Sequence, residues 1–343
     1  MKSVKVVIVV PERATNESPM AVTPAAPNVF RARRTLWRTV RERAIAALLF
    51  LCGLVSVLTT LAIIVSLFSE AYNFFARPEV TLWNFATGAT WRPTVTPVKP
   101  ENFGILPLLN GTLMIAVLSG VIAIPLGVAS AIFLSEYAGD RVRRWLKPSL
   151  ELLAGIPTVV YGYFAITAIT PLIQAAVASL NAITGGHVEV GFFNALSASI
   201  VVGIMIIPMV ASISEDAMRA VPRALREGAY ALGATKFEVA TRVVVPAALS
   251  GIIAAFILGF SRAVGETMAV SIAAGATPRM TLNPLDSIQT MTAFIVQVSF
   301  GDAPVGSVNS QSIFAVGATL FIITFVMNII SQWVLRRFRE EYE

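Results

Sequence analysis

Residues 44–68 read "AIAALLFLCGLVSVLTTLAIIVSLF", with no Asp, Glu, Lys or Arg among them. A helix rising about 1.5 Å per residue needs roughly 20 such residues to cross a hydrocarbon core about 30 Å thick. The stretch is long enough. Five more apolar runs follow, at 111–134, 153–180, 195–213, 243–274 and 313–334, and only the run at 243–274 contains charged residues. Lipid offers the backbone no hydrogen-bond partners, so each run must satisfy its own N–H and C=O groups as a helix. A β-barrel would show alternating segments of about 10 residues, and the sequence has none. Composition agrees: 56% of residues are hydrophobic and 13% charged, against about 45–50% and about 25% in soluble domains. The expected fold class is all-α, a polytopic membrane bundle of six transmembrane helices over residues 44–340, preceded by an arm at 1–43.

Basic residues fall on one side of this arrangement. Placing the N-terminus in the cytoplasm gives that side Arg31 to Arg43 of the arm, Arg141 to Lys147, Arg219 to Arg242 and Arg336 to Arg339. The other side keeps Arg77, Arg92, Lys99 and Arg279. The positive-inside rule then puts both termini in the cytoplasm. The net charge of +6 is accounted for by anionic lipid headgroups, with no nucleic acid partner implied. The opening "MKSVKVVIVVPERATNESP" has an apolar core too short for a signal peptide, and the Pro-rich "SPMAVTPAAPN" reads as poorly ordered. Cys52, the one cysteine, reads as a small apolar filler in the first span, and His187, the one histidine, as a solvated residue of a glycine-flanked connection.

Catalytic signatures are absent. There is no phosphate loop, no H-E-x-x-H, no C-x-x-C and no G-x-S-x-G. The reading is therefore a non-enzymatic chain. Two stretches carry the chemistry. The first, "GFSRAVGETMAVS" at 259–271, sets Arg262 and Glu266 inside an apolar run, with Ser261 and Thr267 beside them. A charge at the centre of a membrane helix costs about 2.5–3.5 kcal/mol on insertion scales. At i and i+4 the two share a helical face and can pair. Well-packed apolar residues would often stabilise a bundle as well, so two readings stay open: a structural staple, or an anion site on a translocation path. Guanidinium is planar, permanently charged and suited to bidentate contact with oxyanions. A straight helix would carry the pair toward the outer face, whereas a tilted or broken one would leave it near mid-membrane. The second stretch is the loop at 215–246, "EDAMRAVPRALREGAYALGATKFEVATRVVVP". Pro222 suits a first helical turn; Leu225, Ala229 and Leu232 form an apolar stripe; Gly233 can end the helix in left-handed geometry; Thr235 and Glu238 make a capping box. The predicted elbow continues through Pro246 into the fifth span. Farther on, Asn283 and Pro284 are expected to start a surface or re-entrant helix in "NPLDSIQTMTAFIVQVSFGD".

The loop resembles the coupling loop of ABC importer membrane subunits, which has the form E-A-A, three residues, G, nine residues, I-x-L-P. Here Glu227, Gly228, Ala229, Gly233, Val243, Val245 and Pro246 occupy that spacing. Glycine replaces the middle alanine, and valines replace isoleucine and leucine. The resemblance implies a type I ABC importer permease whose loop seats in a partner ATPase. ATP and Mg then belong to that partner, and this chain binds no cofactor. "SRAVGETMAV", "FGILPLLNGTL" at 103–113 and "AGIPTVVYGYFA" at 154–165 are similar to PstC-type membrane subunits of the phosphate-specific transport (Pst) system. Gly155, Pro157 and Gly162 in the last stretch suggest an irregular third span. That resemblance implies phosphate import by alternating access, with Arg262 and Glu266 on the path. It also implies ATPase subunits at the cytoplasmic face, a related PstA-like permease subunit and an external phosphate-binding protein, in the cytoplasmic (inner) membrane. A permease for sulfate, molybdate or phosphonate shares the loop; a stand-alone anion channel would leave it idle.

Overall fold

A computed structural model describes residues 29–95, 99–304 and 306–338 of the chain. The Pro-rich stretch and the signal-like opening lie outside them. The chain divides into two compact units, residues 1–62 and 63–343. In the first, the described residues belong to α1 (Val29–Phe75). Residues 29–43, read from the sequence as part of the arm, are thus already helical and continuous with the first apolar run. Cys52 lies exposed on this helix, not packed as a filler.

The second unit is helical apart from its connections, and among the described residues the one β-type pairing is an isolated bridge between Trp91 and Phe103. After α2 (Leu82–Thr87), α3 (Leu106–Ile132) ends in a wide π-helical turn, Phe133–Tyr137. Next comes α4 (Asp140–Ala154), an amphipathic helix that ends at Gly155. The third apolar run forms α5 (Thr158–Phe164), a π-turn at Ala165–Ile169 and α6 (Thr170–Thr184). This is the irregularity its Gly and Pro residues foreshadowed, although Leu153 belongs to α4. The fourth span is α7 (Ala195–Ala220), begun by Asn194, whose side chain accepts from the Ser197 amide. The loop helix α8 (Arg223–Ala231) precedes α9 (Lys236–Glu238), a π-segment Val239–Val244 and α10 (Val245–Ala247). The chain continues through α11 (Leu249–Val264), α12 (Met268–Ala273), α13 (Met291–Ser299) and α14 (Val308–Phe338).

Among the described residues five helices are long and apolar enough to cross a membrane, and a sixth span results if Lys236–Ala247 and Leu249–Val264, bent by 72°, count as one. The elbow therefore does not run straight into the fifth span; it turns at Ala248. The core forms where α7 lies along α3 and α11, around Val201, Val202, Met205, Ile206 and Val210. Small residues set that spacing. A Cβ on Gly127 of α3 would lie 2.7 Å from Val210 Cγ1, and one on Gly203 of α7 would lie 3.2 Å from Ile122. Close approach of this kind replaces the hydrophobic driving force that lipid removes.

Toward the other end of α3, the connection between the first two spans folds onto the bundle through aromatic rings. Phe74, Phe85, Trp91, Phe103 and Phe294 meet edge to face, with centroids 5.1–6.4 Å apart. The helix expected from Pro284 starts instead at Met291, capped by Thr290. Asn283 turns the chain locally, accepting from the Leu285 amide, and the Leu196 amide takes the Pro284 carbonyl. Residues 284–286 form a turn tied to the start of α7, and Ile288 is tied to the end of α12 through its amide. Gly127→Val should destabilise the bundle by about 1–3 kcal/mol through overpacking, read as a lower unfolding temperature in detergent; an unchanged midpoint would contradict the α3–α7 contact.

Candidate functional site

The run around Arg262 does not form one helix. α11 stops at Val264, and the Gly265 and Glu266 amides fold back onto the Ser261 and Ala263 carbonyls at 3.2 Å each. Thr267 is the N-cap of α12, its hydroxyl donating to the Gly265 carbonyl at 3.1 Å. Glu266 is buried, at 8% exposure, and its Oε1 accepts from the Ala269 amide at 3.2 Å. A carboxylate in that place satisfies one free amide of α12 and sits at the positive end of its dipole. From outside, Thr292 of α13 donates its hydroxyl to the Glu266 carbonyl at 2.7 Å.

Arg262 and Glu266 are therefore not an i, i+4 pair. The helix ends between them, Glu266 turns inward to cap α12, and Arg262 stays exposed in the last turn of α11. Among the described residues Arg262 has no ion-pair or hydrogen-bond partner. Its place is favourable to the C-terminal dipole of α11. Ser261 Oγ next to it is enclosed without a partner. Leu258, four residues before Arg262 on the same helical face, is also exposed. The broken run thus presents a cation and an apolar side chain on a face this chain leaves open, with an unused hydroxyl enclosed beside them.

At the far end of α3 and α7 the 215–246 loop takes its expected turns. Gly233 has φ +85°, and Thr235 Oγ1 accepts from the Glu238 amide while Glu238 accepts from the Thr235 amide. Pro222 caps α8 instead of opening it. Val239, Val244 and Ala248 pack with Met218, Val221 and Ala131, which seats the loop on the bundle. The stripe on α8 divides: Ala229 touches that cluster, whereas Leu225 and Leu232 are exposed, Leu232 at 91%. Phe237 is exposed as well. Glu227, Gly228 and Pro246 all lie on the open surface. This is a well-anchored projection with apolar tips. The only other cysteine-or-histidine candidate, His187, is exposed in its loop.

A second charged group was not read from the sequence. Glu215, two residues beyond the fourth apolar run, is fully buried near the end of α7. It receives Arg143 and Lys147 of α4, the latter at 2.8 Å, with Arg219 at 3.8 Å. Lys147 also reaches Asp216 at 2.7 Å. Burial pulls the Lys147 ammonium down, but hydrogen bonds and charges from Asp216 and Glu215 outweigh it and hold the pKa above the ordinary lysine value. Glu266 is thus not the one carboxylate inside the helical bundle. The basic α4 and the Glu227 loop are brought together at one end.

A family model described as the binding-protein-dependent transport system inner membrane component matches residues 123–340, more than half of the chain. The chain belongs to that family. This inner membrane component is 35% identical, over 83% of its length and 88% of the relative's, to the probable ABC transporter permease protein YqgH of Bacillus subtilis (strain 168). It is 32% identical to the phosphate transport system permease protein PstC of Mesorhizobium japonicum, over 87% and 88% of the two chains. A solved chain of a bacterial ABC transporter involved in the import of the acidic polysaccharide alginate superposes with a TM-score of 0.59, covering 89% of this chain and 100% of that one. At 15% identity that likeness bears on the fold alone. The component is a multi-pass membrane protein with a type I ABC importer permease fold.

The two buried carboxylates should respond differently to amides. Glu215→Gln strips the counter-charge from Arg143 and Lys147 and should cost about 1.5–3 kcal/mol. Both cations retain some access to water, so the lower half of that range is expected. Glu266→Gln keeps an oxygen facing the Ala269 amide and should cost less than about 1 kcal/mol. Paired thermal unfolding in detergent decides; equal losses would contradict the assignment.

Proposed function

We propose that the chain is the membrane subunit through which an ATP-driven importer passes inorganic phosphate, by alternating access, across the cytoplasmic membrane. The observation that carries this reading is the unpaired Arg262 at the break in the fifth span, in a chain whose relatives include phosphate transport system permeases. A guanidinium without a carboxylate partner is ready for a transient oxyanion; Thr267 Oγ1 in the same break can accept a further hydrogen bond, and the enclosed Ser261 Oγ keeps its own unspent for an opened path. Glu266 then acts through the backbone. By capping α12 it holds the break open and keeps a second negative charge from neutralising Arg262.

The rest of the assembly is inferred in the same way. Basic residues on α4 and in the 215–246 loop share one end, which supports a cytoplasmic placement for that end and for both termini. There the exposed Leu225, Leu232 and Phe237, with Glu227 among them, suit a groove of a partner ATPase, which would handle ATP and Mg. The open face carrying Arg262 and Leu258 suits a second, PstA-like permease subunit, with the path between the two. An external phosphate-binding protein would deliver the anion at the opposite end.

Arg262→Gln in the assembled transporter should lower phosphate uptake about 10- to 100-fold, the equivalent of one lost charge-assisted hydrogen bond of about 1.5–3 kcal/mol. Co-purification of partner subunits should be unchanged, and excess sulfate should not compete in the parent. Undiminished uptake by the variant would sink the proposal, and loss of assembly would favour the staple.

A further inference from the structure

The side chain of Arg226 points away from the open face of α8, into the bundle. Its side chain is 16% exposed, and Glu136, which it meets, is 7% exposed. Nη1 donates to the Val221 carbonyl at 2.6 Å and Nη2 to the Met218 carbonyl at 2.7 Å. Met218 lies in the last turn of α7, where its carbonyl also accepts from the Val221 amide, and Val221 is the residue that ends the helix, so the guanidinium adds a side-chain cap delivered from another helix. Nη2 and Nε also reach Glu136 Oε1 at 3.2 and 3.4 Å. Glu136 sits in the π-turn that ends the second span, where Ser135 Oγ steadies it at 2.8 Å. One side chain therefore ties the loop helix to the ends of spans two and four.

The alternative route for movement runs through the second limb of the loop into span five. That limb meets α11 at 72°, so a displacement along it projects onto the α11 axis by the cosine of that angle, about 0.3. Arg226 offers a shorter and stiffer route, with three of its nitrogens engaged in a planar fork. Glu215, holding Arg143 and Lys147 one turn farther into α7, brings α4 and with it the start of span three into the same block.

We propose that Arg226 is the positioning residue that passes movement of α8 to spans two and four, so that an ATPase seated on α8 moves those spans and not chiefly span five. The inference rests on reading α8 as the ATPase-facing helix and deepens it. Glu136 is its counterpart.

The test uses the assembled transporter in nanodiscs. Cys52→Ser removes the native thiol, and Tyr137→Cys with Ala231→Cys supplies two spin labels, one on the π-turn and one on α8. In this parent the distance between labels should be the same with and without ATP plus vanadate, because the two sites move together. With Arg226→Ala added, the nucleotide should change that distance, and phosphate imported per ATP hydrolysed should fall about tenfold or more, as a lost buried charged contact implies. Arg226→Lys should restore part of the ratio. Glu136→Gln keeps the carbonyl bonds and should lower the ratio by a smaller factor. Arg226→Ala with parental label distances and a parental ratio would overturn the proposal. Failure of both Arg226→Ala and Glu136→Gln to assemble would overturn it too, by making the contact a folding staple. A parent that hydrolyses ATP but imports no phosphate would instead refute the transport reading, while its label distances still decide the role of Arg226.

Discussion

A helix that stops inside a bundle leaves amides and carbonyls without partners, and lipid offers no water to replace them. Everything distinctive about this chain follows from how the stop at Val264 is made tolerable. The Glu266 carboxylate takes an amide of α12, Thr267 gives its hydroxyl to the Gly265 carbonyl, and Thr292 reaches across from α13 to the carbonyl of Glu266. With those groups satisfied, span five can end one helix at Val264 and begin another at Met268. Arg262 is left at the seam, its charge uncommitted. Had the helix continued, the same arginine would have had Glu266 within reach and no reason to face anything else.

The seam also explains why neighbouring segments have the shapes they do. α13 enters with its capped first turn buried, since Thr292 must lie beside Glu266. Gly111 of α3 admits the backbone of Gln289 on the way in. Span three approaches α12 through Gly162, where a Cβ would lie 3.0 Å from Ala269 Cα. Each of these is a place where bulk was given up so that backbone could come close.

Much of this was legible in the sequence and some was not, for reasons that can be located. Long apolar runs need nothing but themselves to be helices in lipid, so the spans were readable from composition alone. Gly233 and the Thr235–Glu238 box are local devices, complete within four or five residues, and they sit as the pattern indicated. The break after Val264 was open to more than one reading because an arginine and a glutamate four apart fit a continuous helix equally well. What decides between helix and break is Thr292, 26 positions away. Glu215 escaped notice for the same reason. It stands just past an apolar run, where a carboxylate is ordinarily solvated, and only α4, contributing Lys147 from 68 residues upstream, encloses it. The start of α13 was misplaced because Asn283–Pro284 is as good a turn as a helix entrance, and the hydrogen bonds that hold this turn to the start of α7 are long-range.

The two ends of the unit are fastened by different mixtures of forces. Near the start of α3 the joints are interlocked rings, Phe74, Phe103 and Trp91, which dissolved electrolyte does not screen. Near its end ionic contacts join the apolar packing around Met218 and Val239, and one of them, the Lys147–Asp216 contact, faces water on its Asp216 side, which is 64% exposed. Raising ionic strength therefore screens these contacts, and with them the Arg279–Asp286 pair toward the opposite extremity, while the interlocked rings keep their hold, so the rigidity of this chain is itself a function of the salinity in which it works.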